Sequence, residues 1–335
     1  MKRDKRSFYP TRTMVSLLAV LLLVMSACKR EAIDRGEVDP NNINNVVNDN
    51  FNLSIFNTVL KVSRQDLILK EKGPFTLLAP SDAAFSGTFS NPQAVATADR
   101  NTVARIAYYH MLDGRYELNK LPFKFNQELR SRGGKLYLTR WLKGADTVIT
   151  INGARLLAKN IPASNGLVQV MNRVLTPYLH EKLGNALAAE STATLFYEAM
   201  LSSGLLETIN GTGPYTILAP DNGAMMAMGY TSVAQISKTD PEVLKRLVSY
   251  HIIRDRRFVY DYILGTENAT VTTQNMLNGG AITIKLIADS SQPGGFGGVT
   301  VRGTDNTSDI SIVKQDILTG NGVLHIIGGV LKSGI

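Results

Sequence analysis

Apolar positions recur along the chain at two different spacings, and the whole pattern occurs twice. Ile55, Phe56, Val59 and Leu60 form a stripe at i, i+1, i+4 and i+5, as do Leu195, Phe196, Ala199 and Met200, and each stripe predicts an amphipathic helix. Short apolar runs at 75–79 and 215–219 stop at Pro80 and Pro220. Proline has no N–H to donate, so both runs read as strand ends. A later helix opens with Asp240 as N-cap and Pro241 in its first turn, then places Val243, Leu244, Leu247, Val248 and His251 on one side; Asp99 is the equivalent cap. Ser81, Asp82 and Asp221, just past the two prolines, read as caps of the next helices. Residues 136–138, 147–151, 167–174, 281–287, 299–302 and 323–330 read as strands, so helices come early and strands late in each half.

The two halves share sequence as well as pattern. Gly73-Pro74-Phe75-Thr76-Leu77-Leu78-Ala79-Pro80 returns as Gly213-Pro214-Tyr215-Thr216-Ile217-Leu218-Ala219-Pro220, Tyr109-His110 returns as Tyr250-His251, and Asn165-Gly166-Leu167-Val168 returns as Asn321-Gly322-Val323-Leu324. The spacing between copies grows toward the C-terminus, which predicts an insertion in the second copy. The segment 290–309, with the glycine-rich mobile loop 293–298, is its expected place.

The N-terminus has a different character. Basic residues between Lys2 and Arg12 precede an apolar run at 14–25, too short to span a bilayer, and the small residues Ser26 and Ala27 then precede Cys28. Met25-Ser26-Ala27-Cys28 resembles a bacterial lipoprotein lipobox, although the family pattern prefers Leu where Met25 stands. The resemblance implies a signal peptide at 1–27 and a diacylglyceryl group on Cys28. Residues 28–47, ending in a run of asparagines, read as a polar tether. The formal net charge of +8 falls to +4 once residues 1–27 are set aside, since they carry Lys2, Arg3, Lys5, Arg6 and Arg12 against Asp4 alone. That mild excess gives no footprint for nucleic acid. A hydrophobic content of 44% is ample for folded cores. One cysteine excludes an intramolecular disulfide and a cysteine-rich zinc site.

The repeated Thr-(Leu/Ile)-Leu-Ala-Pro box, the Tyr-His pair and the late Asn-Gly strand together resemble fasciclin-like domains. The expected fold is α+β, with two tandem domains at 48–180 and 181–335, each a compact β-sandwich wedge with packed helices. The second copy departs from the pattern where Asn222-Gly223-Ala224-Met225 replaces Asp82-Ala83-Ala84-Phe85. Such domains serve adhesion and protein or carbohydrate contact on cell surfaces and in matrix, so the resemblance implies a non-enzymatic, lipid-anchored protein of the bacterial envelope, at its outer membrane, that contacts envelope or extracellular proteins. The alternative is a glycan-binding accessory lipoprotein of an outer-membrane nutrient-uptake system, with a polysaccharide as partner.

Candidate chemistry is thin. His110, His180, His251 and His325 lie in no His-Glu-x-x-His pattern, and no nucleophile elbow or phosphate loop is present, so no catalytic residue, metal or cofactor is expected. Asp305 and Asp309 lack the glycine and terminal glutamate of a calcium loop. On an apolar helix face, His110 and His251 read as helix-end imidazoles bonded to backbone; the family resemblance adds adhesion as the competing role for Tyr109-His110 and Tyr250-His251. Trp141, the one tryptophan, with Tyr137 nearby, is the candidate ligand contact, because sugars stack on exposed rings.

Overall fold

A computed structural model describes residues 39–292 and 295–334, and the compact unit begins at Asn41. Each half contains one seven-stranded sheet. In the first half the strands are β1 (Phe75–Pro80), β2 (Met111–Asp113), β3 (Lys124–Ser131), β4 (Gly134–Lys143), β5 (Asp146–Ile151), β6 (Ala154–Ala163) and β7 (Gly166–Met171). Those of the second are β8 (Tyr215–Pro220), β9 (Ile252–Ile253), β10 (Val271–Asn275), β11 (Ala281–Ala288), β12 (Phe296–Arg302), β13 (Ile310–Thr319) and β14 (Gly322–Ile327). The spatial orders, β2-β1-β7-β6-β5-β4-β3 and β9-β8-β14-β13-β12-β11-β10, are the same topology twice.

Strand β6 bends the first sheet into two layers. Its start pairs with β5, the remainder pairs with β7, and the register shifts twice along the way. Alternation on β1 then divides its side chains: Leu77 and Ala79 join a core with the helices Ser54–Val62 and Arg100–Tyr109, while Leu78 faces Leu136, Leu138, Ile149 and Ile151 between the layers. Complete burial of a side chain such as Phe56 contributes about 1.5–3 kcal/mol. The second half repeats the division, with Ile217 and Ala219 on the helix side and Leu218 on the other.

The repeated motifs are fasteners. The hydroxyl of Thr76 donates to the Gly114 carbonyl and accepts from the Tyr116 N–H, both at 2.8 Å. Thr216 does the same with Asp255 and Arg257. Asn165 Oδ1 accepts from the Ile43 N–H, and its Nδ2 donates to the carbonyls of Leu69 and Glu71; Asn321 makes the matching set with Leu183, Ile209 and Gly211. The glycine that follows is required by close approach, because a Cβ on Gly166 would lie 2.0 Å from the Phe75 carbonyl oxygen and one on Gly322 would lie 2.1 Å from that of Tyr215.

Four sequence expectations need correction. The end of the expected tether is folded: Ile43–Asn48 is a helix with Ile43 and Val47 buried, capped by the Asn42 side chain, and it matches the helix Leu183–Ala188. The asparagines there close helix ends rather than solvate a leash. Asp82 caps the preceding helix instead of the following one, accepting from the Ser54 hydroxyl and the Ile55 N–H; Asn222 keeps that role with Thr194 and Leu195, so the exchange of Asp for Asn leaves the acceptor in place. Asp221, Asp99 and Asp240 are caps of the helices that follow them. Val243 is 37% exposed, since only Leu244 and Val248 of its helix lie on the fully buried line.

The fourth correction concerns the extra residues of the second copy, which fall in three places. The tight turn Gly144-Ala145 becomes residues 289–295, the turn Asn152-Gly153 becomes residues 303–309, and the connection between β9 and β10 holds a helix, Val259–Gly265, where the first copy has only a 3₁₀ turn at Leu118–Lys120. Phe296–Arg302 is a strand, so the expected mobile loop at 293–298 is partly β structure, and Pro293 and Gly294 lie outside the described residues.

Candidate functional site

The inserted helix Val259–Gly265 packs against strand β4 of the first repeat, and this seam gathers a cluster of buried polar side chains. Leu136 and Leu138 point into the first core, which leaves Tyr137, Thr139, Trp141 and Lys143 on the opposite face of the strand. Asp261, wholly buried, accepts from the Thr139 hydroxyl at 2.8 Å, from Asn126 Nδ2 at 3.1 Å and from the Phe258 N–H at 2.9 Å. Asn126 can reach it because β3 bulges there, with φ 51° at Asn126. Burial raises the Asp261 carboxyl to about 6, against the lowering effect of its donors.

Charged groups extend the seam on both sides. Lys143 Nζ donates to the Thr266 hydroxyl and to the Glu267 carbonyl, at 2.8 and 2.6 Å, and burial lowers its pKa. Arg173 donates to Asp316 Oδ2 at 3.0 Å while the Val259 N–H donates to Asp316 Oδ1. Arg256 donates to the carbonyls of Thr319, Gly320 and Gly322 and lies 3.8 Å over the ring of Tyr137.

That placement removes Tyr137 as a ligand contact. It is 7% exposed, with its ring covered by Arg256 and packed beside Phe258 and Leu318, so no sugar face can reach it. Trp141 is only half-buried. It packs against Phe125 at 4.7 Å between ring centres and borders a groove of about 390 Å³ together with Phe123, Leu142 and Gly144 of the first repeat and Glu267 and Asn268 of the second. A second cleft, of about 410 Å³, follows the linker past Arg173, Tyr178 and His180, and its charges are engaged in the pairs Arg173–Asp316 and Lys314–Glu190.

The two Tyr-His pairs lie one in each repeat, and their imidazoles make no bond across the seam. His110 Nδ1–H donates to the Ile106 carbonyl at 2.7 Å, and Nε2 accepts from the Leu175 N–H at 3.0 Å. His251 repeats this with Leu247 and Leu331, at 2.8 and 3.0 Å. Each imidazole joins the last turn of a helix to the chain leaving the final strand, and burial lowers both to about 4. Tyr109 donates to the Lys135 carbonyl and Tyr250 to that of Ala281. His325 is also buried; it accepts from the Asp316 N–H and donates to the Arg257 carbonyl.

Cys28 lies outside the described residues. Among the described residues, no group of three or more His, Cys, Asp or Glu side chains is placed to hold a metal, and no helix is long and apolar enough to cross a membrane. Sequence reasoning missed Asp261, Asn126, Lys143 and Asp316, because nothing in a single chain pairs positions so far apart. Arg256 had a signal, since Arg115 occupies the matching position and donates to Gly166 as Arg256 does to Gly322.

Comparison with known proteins agrees with this architecture. The fasciclin domain model matches residues 51–177 and again 191–333. Human periostin is 27% identical over 265 residues, covering 78% of this chain, and the pig transforming growth factor-beta-induced protein ig-h3 is 25% identical over 260 residues, covering 77%. This chain spans only 29% and 35% of the lengths of those two relatives. A solved FAS1 domain pair from the insect cell adhesion molecule fasciclin I aligns at a TM-score of 0.41 and 17% identity, covering 83% of this chain and 97% of that one. With two matches that together take up most of its length, this chain belongs to the fasciclin domain family and carries two tandem copies of the domain.

Proposed function

We propose that the chain is a non-enzymatic adhesion or protein-contact module of the bacterial envelope, held at the outer membrane by a lipid on Cys28. The observation that supports this reading is the seam itself. Two family domains are joined through the buried Asp261 cluster, so a partner protein meets one composite surface rather than two independently tumbling domains.

The test uses the full chain displayed on beads through its lipid, measured for saturable attachment to purified envelope proteins. Cys28→Ser should release the protein from membranes or leave it unprocessed, and attachment should depend on an intact seam. A processed, detergent-dependent membrane species from Cys28→Ser would refute the anchor. Attachment unchanged after separation of the domains by Asp261→Ala would refute the composite surface.

A further inference from the structure

We propose that the groove beside Trp141 is a binding site for a neutral oligosaccharide, built jointly by the two repeats. Its walls have the mixed chemistry that a pyranose needs: the Trp141 ring with apolar neighbours for the C–H surface, and free polar groups for its hydroxyls. Phe123 is 46% exposed and Leu142 is 49% exposed, and both line the groove. Trp141 is held at a fixed tilt by Phe125, which presents it to the groove at little entropic cost. The volume of about 390 Å³ lies within the range of small-ligand sites.

The polar wall comes from the second repeat. Glu267 and Asn268 are exposed, and their side chains make no hydrogen bond or ion pair among the described residues. Glu267 sits in the left-handed region at φ 49°, a conformation that is costly for a non-glycine residue. Lys143, reaching across the seam to its carbonyl, holds it there. The backbone that carries the carboxylate and the amide is thus held at the rim of the groove before any ligand arrives.

Charge selects against other occupants. The free Glu267 carboxylate disfavours anionic sugars. The Arg140 guanidinium already lies 3.8 Å over one face of Phe123, so a further cation at that ring would be repelled. What remains is an uncharged, hydroxyl-rich ligand with an apolar face. This site is separate from the protein-contact reading and does not depend on it.

Trp141 is the only tryptophan, so its emission reports this groove without interference. The full chain in detergent would be titrated with neutral gluco-, manno-, galacto- and xylo-tetrasaccharides, with tetragalacturonate as the anionic probe and tetralysine as the cationic one. At least one neutral tetrasaccharide should shift the emission saturably, with a Kd of about 10 µM to 1 mM. By calorimetry, Glu267→Ala should weaken that binding roughly tenfold and Trp141→Ala should abolish it. Because Glu267 is at the surface, its variant should melt as the parent does, which separates lost binding from lost folding. Silence from every neutral probe, undiminished binding in Glu267→Ala, or a response to tetralysine or tetragalacturonate alone would each overturn the proposal.

Discussion

The two repeats use equivalent positions for the same structural work until the seam is reached, and there the second repeat changes residue type. In the first, Gln169 accepts from the Asn160 N–H and donates to Tyr116, and Asn160 has φ 54°. In the second, the matching residues are His325, Asp316 and Arg257, and Asp316 has φ 60°. The local fastening is preserved, but the neutral Asn has become a carboxylate that also takes Arg173 from the other repeat. Together with the inserted helix that carries Asp261, this exchange converts one copy of a domain into a docking partner for the other. The seam is thus one place where the copies diverge, while the cores retain their fasteners.

The largest test of that contrast is in the cores. His110→Ala and His251→Ala each delete two buried hydrogen bonds and a ring packed 5.4 Å from Phe56 or Phe196, so each should cost about 3 kcal/mol in urea denaturation, with similar values in both repeats. An unchanged melt with lost partner binding would make the pair a contact site instead. Asp261→Ala should cost about 2 kcal/mol by stranding the donors Asn126 and Thr139, and should split one calorimetric transition into two. If the transition stays single, the cohesion of the seam lies elsewhere.

Acid should act on the two regions with opposite sign. The histidines titrate near 6.5 when unfolded and about 4 when buried, so their contribution is complete above 6.5 and is lost as pH falls through 4. Asp261 is raised from 3.8 to about 6, so its contribution is present below 3.8 and is lost as pH rises through 6. Between pH 6.5 and 4 the cores should weaken while the seam tightens, and Asp261→Asn should remove only the second trend in calorimetry across that window. The smallest effect is expected on the second repeat's outer face. Met226 and Met228, 48% and 41% exposed, stand where the first copy has Ser86 and Thr88, so Met226→Ser with Met228→Thr should change stability by less than about 0.5 kcal/mol.

Local signals made the repeated core legible. The proline-terminated apolar runs, the Asp99 and Asp240 caps and the duplicated motifs each act within a few residues, and the structure places them as strands, caps and fasteners. Strands β3 and β10 were not legible, because they lie at sheet edges and are mostly polar, with no fully buried face to impose alternation. The seam escaped for a different reason. Its partners are separated by more than a hundred positions, and Thr139 or Asn126 has no property in isolation that marks it as a receptor for Asp261. Trp141 and Tyr137 were found together as neighbouring aromatics, yet the strand gives them different surroundings, since Tyr137 lies under Arg256 and Trp141 lies at the open end.

The Asn-Gly fastener also sets an order of events during synthesis. Asn165 ties down the start of the helix at Ile43, and β7 supplies the parallel partner of β1 in the register Phe75 to Gly166. Neither end of the first repeat can therefore close until about residue 171 has left the ribosome, and until then β1 has an unpaired edge. The nascent chain must carry an open, apolar strand for most of a domain's length, which makes this interval the time when a holdase chaperone has a binding site to cover.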